Sequence, residues 1–344
     1  MEFRKEVRST EILSPLVQFE SEVQAIEYRE DPLTGSQCRI NVARAGRVRQ
    51  VQQGGVEVKE VIERTVSGCS FCPQNVSERT PKFPPTLLPE GRIKRGECLL
   101  FPNLYPFAEY HAVATLTGRH FLELDEFTTQ MLVDNIVTSK DFIALVQQKD
   151  EKAVYPMWIW NHLPSSGASI IHPHVQITVD RTPTPELGKL IGKSEEYWRQ
   201  RRMNYWQELI EVERGIGERY IGENDSVAVI ASFAPRGNNE VQVIFKGPVS
   251  LIDLDERQTR DFSSVILKIL YCYKGMGVNS FNLITYSASL TERPDYFWMS
   301  ARIISRPVFQ PFYTSDAGFM ERFYDVWVIE TLPEEVAREM RASF

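Results

Sequence analysis

The sequence predicts an α+β fold of two tandem units, each an antiparallel sheet with packed helices, in which the second unit is degenerate. Residues 101–126 align without gaps to residues 231–256, an offset of 130 residues. Both copies contain a turn with proline, a short β-type run, a glycine turn and the letters LDE before an apolar helical pattern. The repeat predicts one supersecondary unit used twice, and a chance match between two α+β units is the alternative.

Strand-like runs follow the predicted helix in each unit. They are VYPMWIWNHL and SIIHPHVQITV in the first unit, and SFNLITYSASL and YFWMSARIISRP in the second. The intervening segment KSEEYWRQRRMNYWQELIEVERG is predicted to be one connecting helix. The boundary therefore falls near residue 195, with domains expected at 1–195 and 196–344.

Bulk composition narrows the classes of function. The 344 residues are 42% apolar and 25% charged, as in globular proteins, and the net charge of −7 argues against a surface that coats nucleic acid. No run approaches the roughly 18 apolar residues of a membrane span, and the N-terminal residues lack a signal-peptide pattern. Five cysteines at irregular spacing favour a reducing compartment. We expect a cytoplasmic enzyme with no nucleic-acid or membrane partner.

Histidines are concentrated in the first unit, and the second contains none; those in the first unit include His111, His120, His172 and His174. Along a strand, His172, His174 and Gln176 project to one side. Pro173 removes a backbone donor, which favours an edge or rim position. A neutral imidazole can attack phosphorus with one nitrogen while the other donates to a carbonyl. Histidines that only satisfy polar neighbours are the alternative.

Cys69 and Cys72 form a Cys-x-x-Cys pair in a turn that can point both sulfurs at one centre. We nominate His120 and His172 as the remaining ligands of a Cys2His2 zinc site. Two buried thiols without a metal, or a redox dithiol, are the alternatives. The redox alternative lacks the expected helix start, because the sequence after Cys72 is loop-like.

Small and cationic side chains near these residues are candidates for binding phosphate. Asn161, Gly167 and Ser169 predict a turn whose backbone donors and hydroxyl could contact phosphate oxygens. Arg44 and Arg47 could supply positive charge.

Taken together, these residues resemble the galactose-1-phosphate uridylyltransferase family, a branch of the histidine triad superfamily that also includes ADP-glucose phosphorylase and dinucleoside tetraphosphate phosphorylases. The matching segments are DPLTGSQCRINVARAGR, the Cys-x-x-Cys pair, FPNLYPF and the signature N-x5-G-x-S-x2-H-P-H-x-Q over residues 161–176. The resemblance implies two histidine-triad-like units, the first catalytic and zinc-binding, the second degenerate.

The resemblance also implies roles for single residues. His174 would attack the α-phosphorus of a nucleotide-sugar or dinucleotide and form a covalent nucleotidyl-histidine. Gln176 would hydrogen-bond the phosphoryl oxygens and Ser169 the departing phosphate. Substrate-contacting positions are Arg44, Arg47, Asn103, Asn161 and Gly167, and the ligands of a structural zinc are Cys69, Cys72, His120 and His172.

The implied reaction is a ping-pong nucleotidyl transfer to a phosphate-bearing acceptor in a homodimer. A phosphorylase or hydrolase of ADP-sugars or dinucleoside polyphosphates is the alternative on the same site. A regulatory nucleotide-binding protein without catalysis is the alternative from another class. Where the family has a His-x-His pair that helps hold a second metal, this chain reads YFWMSARIISRP. We therefore expect one metal site and leave the sugar unassigned.

Overall fold

The protein, analysed as a computed structural model, is described over residues 1–46, 58–310 and 313–344. These ranges contain fourteen strands and eight α-helices. Ten strands form one antiparallel sheet, and the other four form a smaller sheet. The predicted α+β fold class is confirmed.

The elements are as follows. The strands are β1 (Arg4–Ser14), β2 (Glu20–Glu30), β3 (Gln37–Ile40), β4 (Ile93–Arg95), β5 (Cys98–Pro102), β6 (Tyr110–Thr115), β7 (Tyr155–His162), β8 (His174–Asp180), β9 (Tyr220–Glu223), β10 (Val227–Ala231), β11 (Val241–Phe245), β12 (Phe281–Tyr286), β13 (Ser300–Ser305) and β14 (Val326–Ile329). The helices are α1 (Val58–Thr65), α2 (Val76–Arg79), α3 (Thr129–Lys149), α4 (Pro185–Arg201), α5 (Tyr205–Ile216), α6 (Glu256–Gly275), α7 (Phe319–Phe323) and α8 (Pro333–Arg341).

The order of strands in the large sheet reveals the repeat. The sheet runs β4-β5-β6-β8-β7-β12-β13-β11-β10-β9. Outward from its centre, β7, β8, β6 and β5 of the first unit are matched by β12, β13, β11 and β10 of the second. The long helices α3 and α6 follow β6 and β11, and they pack against each other on one face. The two units therefore have the same arrangement of elements.

The gapless alignment is wrong at the level of side chains. In β6, Ala112 and Ala114 belong to the core beneath the helices, and the offset of 130 pairs them with Gln242 and Ile244. In β11, the residues that join this core are instead Val241, Val243 and Phe245. Because side chains alternate along a strand, a shift of one residue moves every side chain to the opposite face.

The two units share one sheet and one core. β7 pairs with β12 in antiparallel register, with Asn161 opposite Asn282. The largest buried cluster contains residues of both halves, such as Trp158 and Phe281. Residue 195 lies inside α4, and the division into domains 1–195 and 196–344 stays a prediction.

The predicted single connecting helix is wrong, because the segment forms α4 and α5. Arg202 ends α4 in the left-handed region with φ of 57°, and Asn204 begins α5 by accepting hydrogen bonds from the backbone of Trp206 and Gln207. Both helices pack on the sheet face opposite α3 and α6, over apolar residues of β10 and β11. The same cluster includes Tyr155 at the start of β7, next to the second unit.

The strand that carries His174 is an interior strand, so of the predicted edge or rim positions the edge position is wrong. β8 lies between β6 and β7. Pro173 precedes the first residue of the strand, where its missing N–H costs no ladder hydrogen bond, and its carbonyl accepts from the backbone of Leu116 at 3.0 Å. The Pro-His sequence thus lies at the end of a central strand.

The small sheet contains three strands from the N-terminal region and one strand from the C-terminal region. Its order is β1-β2-β3-β14, and β14 pairs with β3 in parallel. Among the described residues, no helix has the length and apolar character needed to cross a membrane.

Candidate active site and metal centre

One face of the large sheet carries the polar side chains that the sequence singled out. In the register of β6 and β8, Thr115 lies opposite His174 and Val113 opposite Gln176. On the other side of β8, Ile159 of β7 lies opposite Gln176. Continuing that register by two residues places Asn161 beside His174. The face is the one left uncovered by α3 and α6.

The His174 ring is held in a single tautomer. Its Nδ1 lies 2.7 Å from the carbonyl oxygen of His172, so Nδ1 carries the proton and donates it to that carbonyl. Burial lowers the pKa of His174, which favours the neutral ring. The Phe71 ring meets it edge-on at 5.2 Å. The remaining nitrogen, Nε2, is therefore unprotonated and has the lone pair that a nucleophile needs.

The four predicted metal ligands come together in space. The donor atoms of Cys69, Cys72, His120 and His172 all lie within 4.8 Å of one another. The Cys72 sulfur is 3.3 Å from Nδ1 of His120 and 3.6 Å from Nδ1 of His172. Two sulfurs and two imidazole nitrogens at such separations can hold one metal ion.

Two threonines turn the imidazoles toward the cysteines. Nε2 of His172 lies 2.7 Å from the carbonyl oxygen of Thr117. Nε2 of His120 lies 2.9 Å from the Thr65 hydroxyl, and this hydroxyl donates to the carbonyl of Ile62 at 2.8 Å. Each histidine therefore donates from Nε2 and presents a bare Nδ1 to the cluster, which is the outer-shell pattern of metal-binding histidines. Neither threonine belongs to a motif that the sequence predicts to be functional.

The electrostatics of the cluster also fit a cation. Burial and the neighbouring Cys69 raise the pKa of Cys72 to about 12. Burial lowers the pKa of His120, and it lowers the pKa of His172 to about 4. The histidines are therefore neutral ligands, and a bound cation would stabilise the thiolate form of the cysteines.

The side chain of Gln176 is oriented by two neighbours. His111 accepts the backbone N–H of Phe107 at Nδ1, so its Nε2 donates to Gln176 Oε1 at 2.9 Å. The Asn103 amide donates to the same oxygen at 3.4 Å. The Gln176 oxygen is thereby engaged, and its NH2 group is directed toward the other side. Asn103 was predicted to contact substrate, whereas His111 had no assigned role.

A cavity of about 390 Å³, lined by apolar side chains and also by Lys94 and Glu97, lies beside the candidate metal cluster. Phe71 and Val76 line it from the segment that contains the cysteines, and Leu99 and Thr115 line it from β5 and β6. Thr115 also lies opposite His174 in the sheet. A flat apolar group could therefore be bound within reach of His174.

Asn161 contacts a residue that the sequence analysis missed. Its Oδ1 accepts from Nδ2 of Asn282 at 2.6 Å, and the same Nδ2 donates to the carbonyl of Ser166 at 2.9 Å. Gly167 follows in the left-handed region with φ of 93°, which explains a glycine there. Only the alternation of β12 could have placed Asn282 on this face, because an isolated asparagine in SFNLITYS gives no functional signal.

Two of the remaining predicted phosphate-binding residues are exposed, and the third lies outside the described residues. The Ser169 side chain is exposed after the Gly167 turn. Arg44 is exposed in the short turn Val42–Gly46 that follows β3. Arg47 lies outside the described residues.

His162 is a histidine of the protein core. Its ring stacks on Phe281 with centroids 5.1 Å apart, on the helix side of the sheet. Burial, with the proximity of His174, lowers its pKa to about 3. The strand period separates it from Asn161, its neighbour in sequence, so the two residues face opposite sides.

Comparison with known proteins gives relatives of two kinds. No family model matches the chain. An uncharacterized protein of Archaeoglobus fulgidus is 32% identical over 342 residues, which cover 99% of this chain and 98% of that protein. A galactose-1-phosphate uridylyltransferase of Neurospora crassa is 26% identical over 148 residues, which cover 42% of this chain and 37% of that enzyme.

Solved structures share the fold over almost the whole chain. An ADP-glucose phosphorylase from Arabidopsis thaliana with bound ADP-glucose superposes with a TM-score of 0.71 at 19% identity, covering 92% of this chain and 98% of that chain. A GALT-like protein from the same plant gives 0.69 at 18% identity, with the same coverage. A uridylyltransferase gives 0.66, also at 18% identity and with the same coverage.

The chain shares the fold of these three proteins, and it brings two cysteines and two histidines together in one cluster. In sequence, the chain groups with the Archaeoglobus fulgidus protein over nearly its whole length, and it is similar to the galactose-1-phosphate uridylyltransferase of Neurospora crassa over part of its length. The resemblance recognised in the sequence motifs is confirmed.

Proposed function

We propose that the protein is a nucleotidyltransferase that moves a nucleoside monophosphate from a nucleotide-sugar or dinucleotide to a phosphate-bearing acceptor. The transfer proceeds through a covalent adduct on His174. The observation that carries this proposal is the hydrogen bond of 2.7 Å from Nδ1 of His174 to the His172 carbonyl. It leaves Nε2 as the only nitrogen of that ring with a free lone pair.

In the first half-reaction, Nε2 of His174 forms a bond to the α-phosphorus of the donor. The bond from that phosphorus to its bridging oxygen breaks, and the sugar phosphate or nucleotide leaves with the electron pair. The ring becomes cationic, and the His172 carbonyl stabilises the charge through the proton on Nδ1. In the second half-reaction, a phosphate oxygen of the acceptor attacks the same phosphorus and the nitrogen–phosphorus bond breaks.

The neighbouring polar groups are assigned to the phosphoryl oxygens. Gln176 directs its NH2 group away from His111 and can donate to the oxygens on the α-phosphorus. The exposed hydroxyl of Ser169 is assigned to the departing phosphate, and Arg44 and Arg47 are assigned to the charge of the phosphates. Each such donor is typically worth about 2.7–4 kcal/mol in the transition state.

The nucleoside is assigned to the cavity beside Phe71 and Leu99. The cavity is apolar enough for a base, and Thr115 connects it to His174 across the sheet. The Arabidopsis ADP-glucose phosphorylase, which shares the fold, binds ADP-glucose, and this supports a nucleotide-sugar as donor.

Cys69, Cys72, His120 and His172 are the residues that would hold a structural Zn²⁺. When bound, this ion supplies a fixed positive centre that ties the cysteine turn to the end of β8. His172 then has two tasks, since its ring is a ligand and its backbone carbonyl orients the nucleophile.

Intact-mass spectrometry tests the proposal. The protein is incubated separately with UDP-glucose, UDP-galactose, ADP-glucose and diadenosine tetraphosphate, without acceptor. The expected result is an added nucleoside monophosphate with one of these donors and its absence in His174→Ala. Tyr271→Phe, at a residue that is 63% exposed, is the matched control and keeps the adduct. The absence of an adduct with every donor contradicts the proposal.

The acceptor is identified in the second half-reaction. The isolated adduct is mixed with glucose 1-phosphate, galactose 1-phosphate, inorganic phosphate or buffer alone. Discharge by a sugar phosphate indicates a uridylyltransferase-type enzyme, and discharge by inorganic phosphate indicates a phosphorylase. Discharge in buffer at the same rate indicates a hydrolase.

A further inference from the structure

We propose that Asn282, which the second unit contributes, is a positioning residue that fixes the amide of Asn161 toward the phosphate in the active site. This inference rests on the proposed function and deepens it. Asn282 lies on β12, directly opposite Asn161 of β7, where the two units join. The degenerate unit would then take part in catalysis through this contact.

The orientation of the Asn282 amide is dictated by Arg306. Nη1 of Arg306 donates to Oδ1 of Asn282 at 2.7 Å. A guanidinium has donors and no acceptor, so the asparagine must turn its oxygen toward Arg306. Arg306 is itself held by Asp316, which accepts from its Nε at 2.9 Å and from its Nη2 at 2.6 Å. The guanidinium is therefore fixed at two of its nitrogens.

With its oxygen engaged, Asn282 presents its NH2 group to the first unit. Nδ2 donates to Oδ1 of Asn161 at 2.6 Å and to the carbonyl of Ser166 at 2.9 Å. Asn161 must therefore turn its oxygen toward β12, and its own NH2 group is available on the side of His174.

The direction of the Asn161 amide matters for the chemistry. A donor that faces the α-phosphoryl oxygens stabilises the charge that develops on them, whereas an amide oxygen in the same place repels it. The series of hydrogen bonds from Asp316 through Arg306 and Asn282 to Asn161 directs the NH2 group of Asn161, and not its oxygen, toward the phosphoryl oxygens. We expect a substitution that reverses Asn282 to slow transfer even when the fold is unchanged.

Asn282→Asp is the decisive variant. The aspartate keeps the shape and the acceptor for Arg306 but has no NH2 group, so Asn161 turns to donate to it and presents its oxygen to the substrate. The expected result is a fall of about 100-fold in the single-turnover rate of adduct formation, with KM changed less than kcat. Asn279→Asp is the matched control and keeps the wild-type rate, because the hydrogen bonds of Asn279 within the described ranges go to the backbone of Phe309.

A double-mutant cycle separates positioning from general structural damage. If Asn282 acts through Asn161, the Asn161→Ala variant and the Asn161→Ala/Asn282→Asp variant have the same rate. Rates that fall further in the double variant, or a wild-type rate in Asn282→Asp, overturn the inference. A loss confined to the thermal midpoint overturns it as well.

Nucleotide binding distinguishes failure of this inference from failure of the proposed function. UMP and AMP are titrated by calorimetry into the wild type and the same variants. If the wild type forms no adduct but Asn282→Asp weakens binding about tenfold and only when Asn161 is present, the proposed function fails and the positioning role stands. If the adduct forms and the Asn161 and Asn282 effects are additive in both assays, the positioning role fails alone.

Discussion

The carbonyl oxygen of His172 lies 2.7 Å from Nδ1 of His174, so one residue belongs to the candidate metal cluster and also orients the proposed nucleophile. Nδ1 of the His172 ring lies 3.6 Å from the Cys72 sulfur, while the backbone carbonyl of His172 is directed at His174. His172 and His174 are thus connected twice, by this hydrogen bond and by the backbone through Pro173. We therefore expect the state of the candidate metal site to affect the proposed nucleophile.

Removal of one ligand is expected to abolish both the metal and the transfer activity. Cys72→Ser replaces a thiolate donor, and we expect the zinc content to fall from about one ion per chain to near zero, because the site needs all four ligands. The midpoint of thermal unfolding should fall by about 5 °C or more, since binding energy is folding energy at such sites. Elemental analysis and thermal melts measure the two effects.

Cys272→Ser is the control for this prediction, because Cys272 is a buried thiol far from the cluster that contacts the carbonyl of Met340. It should retain the metal and the activity. Full activity in a metal-free Cys72→Ser protein would contradict the coupling between the cluster and His174.

The bond from His111 to Gln176 gives a second prediction. In His111→Phe the ring volume is kept, but Gln176 Oε1 loses its donor at 2.9 Å and retains only the longer bond from Asn103 at 3.4 Å, so the glutamine amide is held less firmly. We expect the rate of nucleotidyl transfer to fall about tenfold or more, because a donor to the phosphoryl oxygens is no longer held in place. Single-turnover kinetics measure this rate.

His111→Gln is the comparison variant, because it can still donate to the Gln176 oxygen and should recover part of the rate. Equal rates in His111→Phe and the wild type would mean that Gln176 is oriented by Asn103 alone.

The buried amide of Asn135 gives a third prediction, about stability. Its Oδ1 accepts from Trp158 Nε1 at 2.9 Å, and its Nδ2 donates to the Ala114 carbonyl at 3.2 Å. Asn135→Ala removes both bonds inside the core, and we expect the free energy of unfolding to fall by about 2–4 kcal/mol. Urea denaturation monitored by tryptophan fluorescence measures the loss.

A double-mutant cycle with Trp158→Phe isolates the bond to the indole. If that bond stabilises the core, Trp158→Phe costs about 1 kcal/mol less in the Asn135→Ala background than in the wild type. Strict additivity would assign the whole effect to the cavity.

Local sequence patterns predicted the parts of this structure that depend on short-range order. The long helices, the main strands and the repeat of elements follow from side-chain periodicity and turn residues, and they occur where the patterns indicated. The Cys-x-x-Cys pair and His172 could be assigned to one metal site because few residue types bind zinc. These inferences require only the chemistry of single residues.

Long-range pairing could not be predicted in the same way. β3 pairs with β14 in parallel, and β7 pairs with β12. In neither pair does the sequence of one strand indicate which other strand is its partner. The gapless repeat predicted the correct elements but assigned strand residues to the wrong face of the sheet. A shift of one residue changes the hydrophobic similarity of the two segments little, but it moves every side chain of the strand to the opposite face. Asn282 was missed for this reason, because its role depends on the strand that it pairs with.

The ion pair between Arg29 and Glu334 gives the last prediction, which concerns pH. Arg29 is 1% exposed, and its Nη1 and Nη2 bind the two Glu334 oxygens at 2.9 and 3.0 Å, while Arg219 Nη1 also binds Glu334 at 3.1 Å. Glu334→Gln leaves two buried guanidinium groups with one partner fewer. We expect the free energy of unfolding at pH 7 to fall by about 2–4 kcal/mol, measured from urea midpoints.

The pH dependence of this loss identifies the carboxylate as its origin. Burial opposes the charge of Glu334, but the two arginines outweigh it and hold the pKa of Glu334 below its usual value of 4.5. A lowered pKa means that the stabilisation is fully present above about pH 4.5 and is lost as the pH falls through the folded-state pKa. The difference between the wild type and Glu334→Gln should therefore be constant from pH 8 to about pH 6 and shrink below about pH 4.5. Glu335→Gln, at the neighbouring and 48% exposed side chain, should unfold like the wild type at every pH. A wild-type advantage over Glu334→Gln that persisted unchanged at pH 3 would contradict this origin.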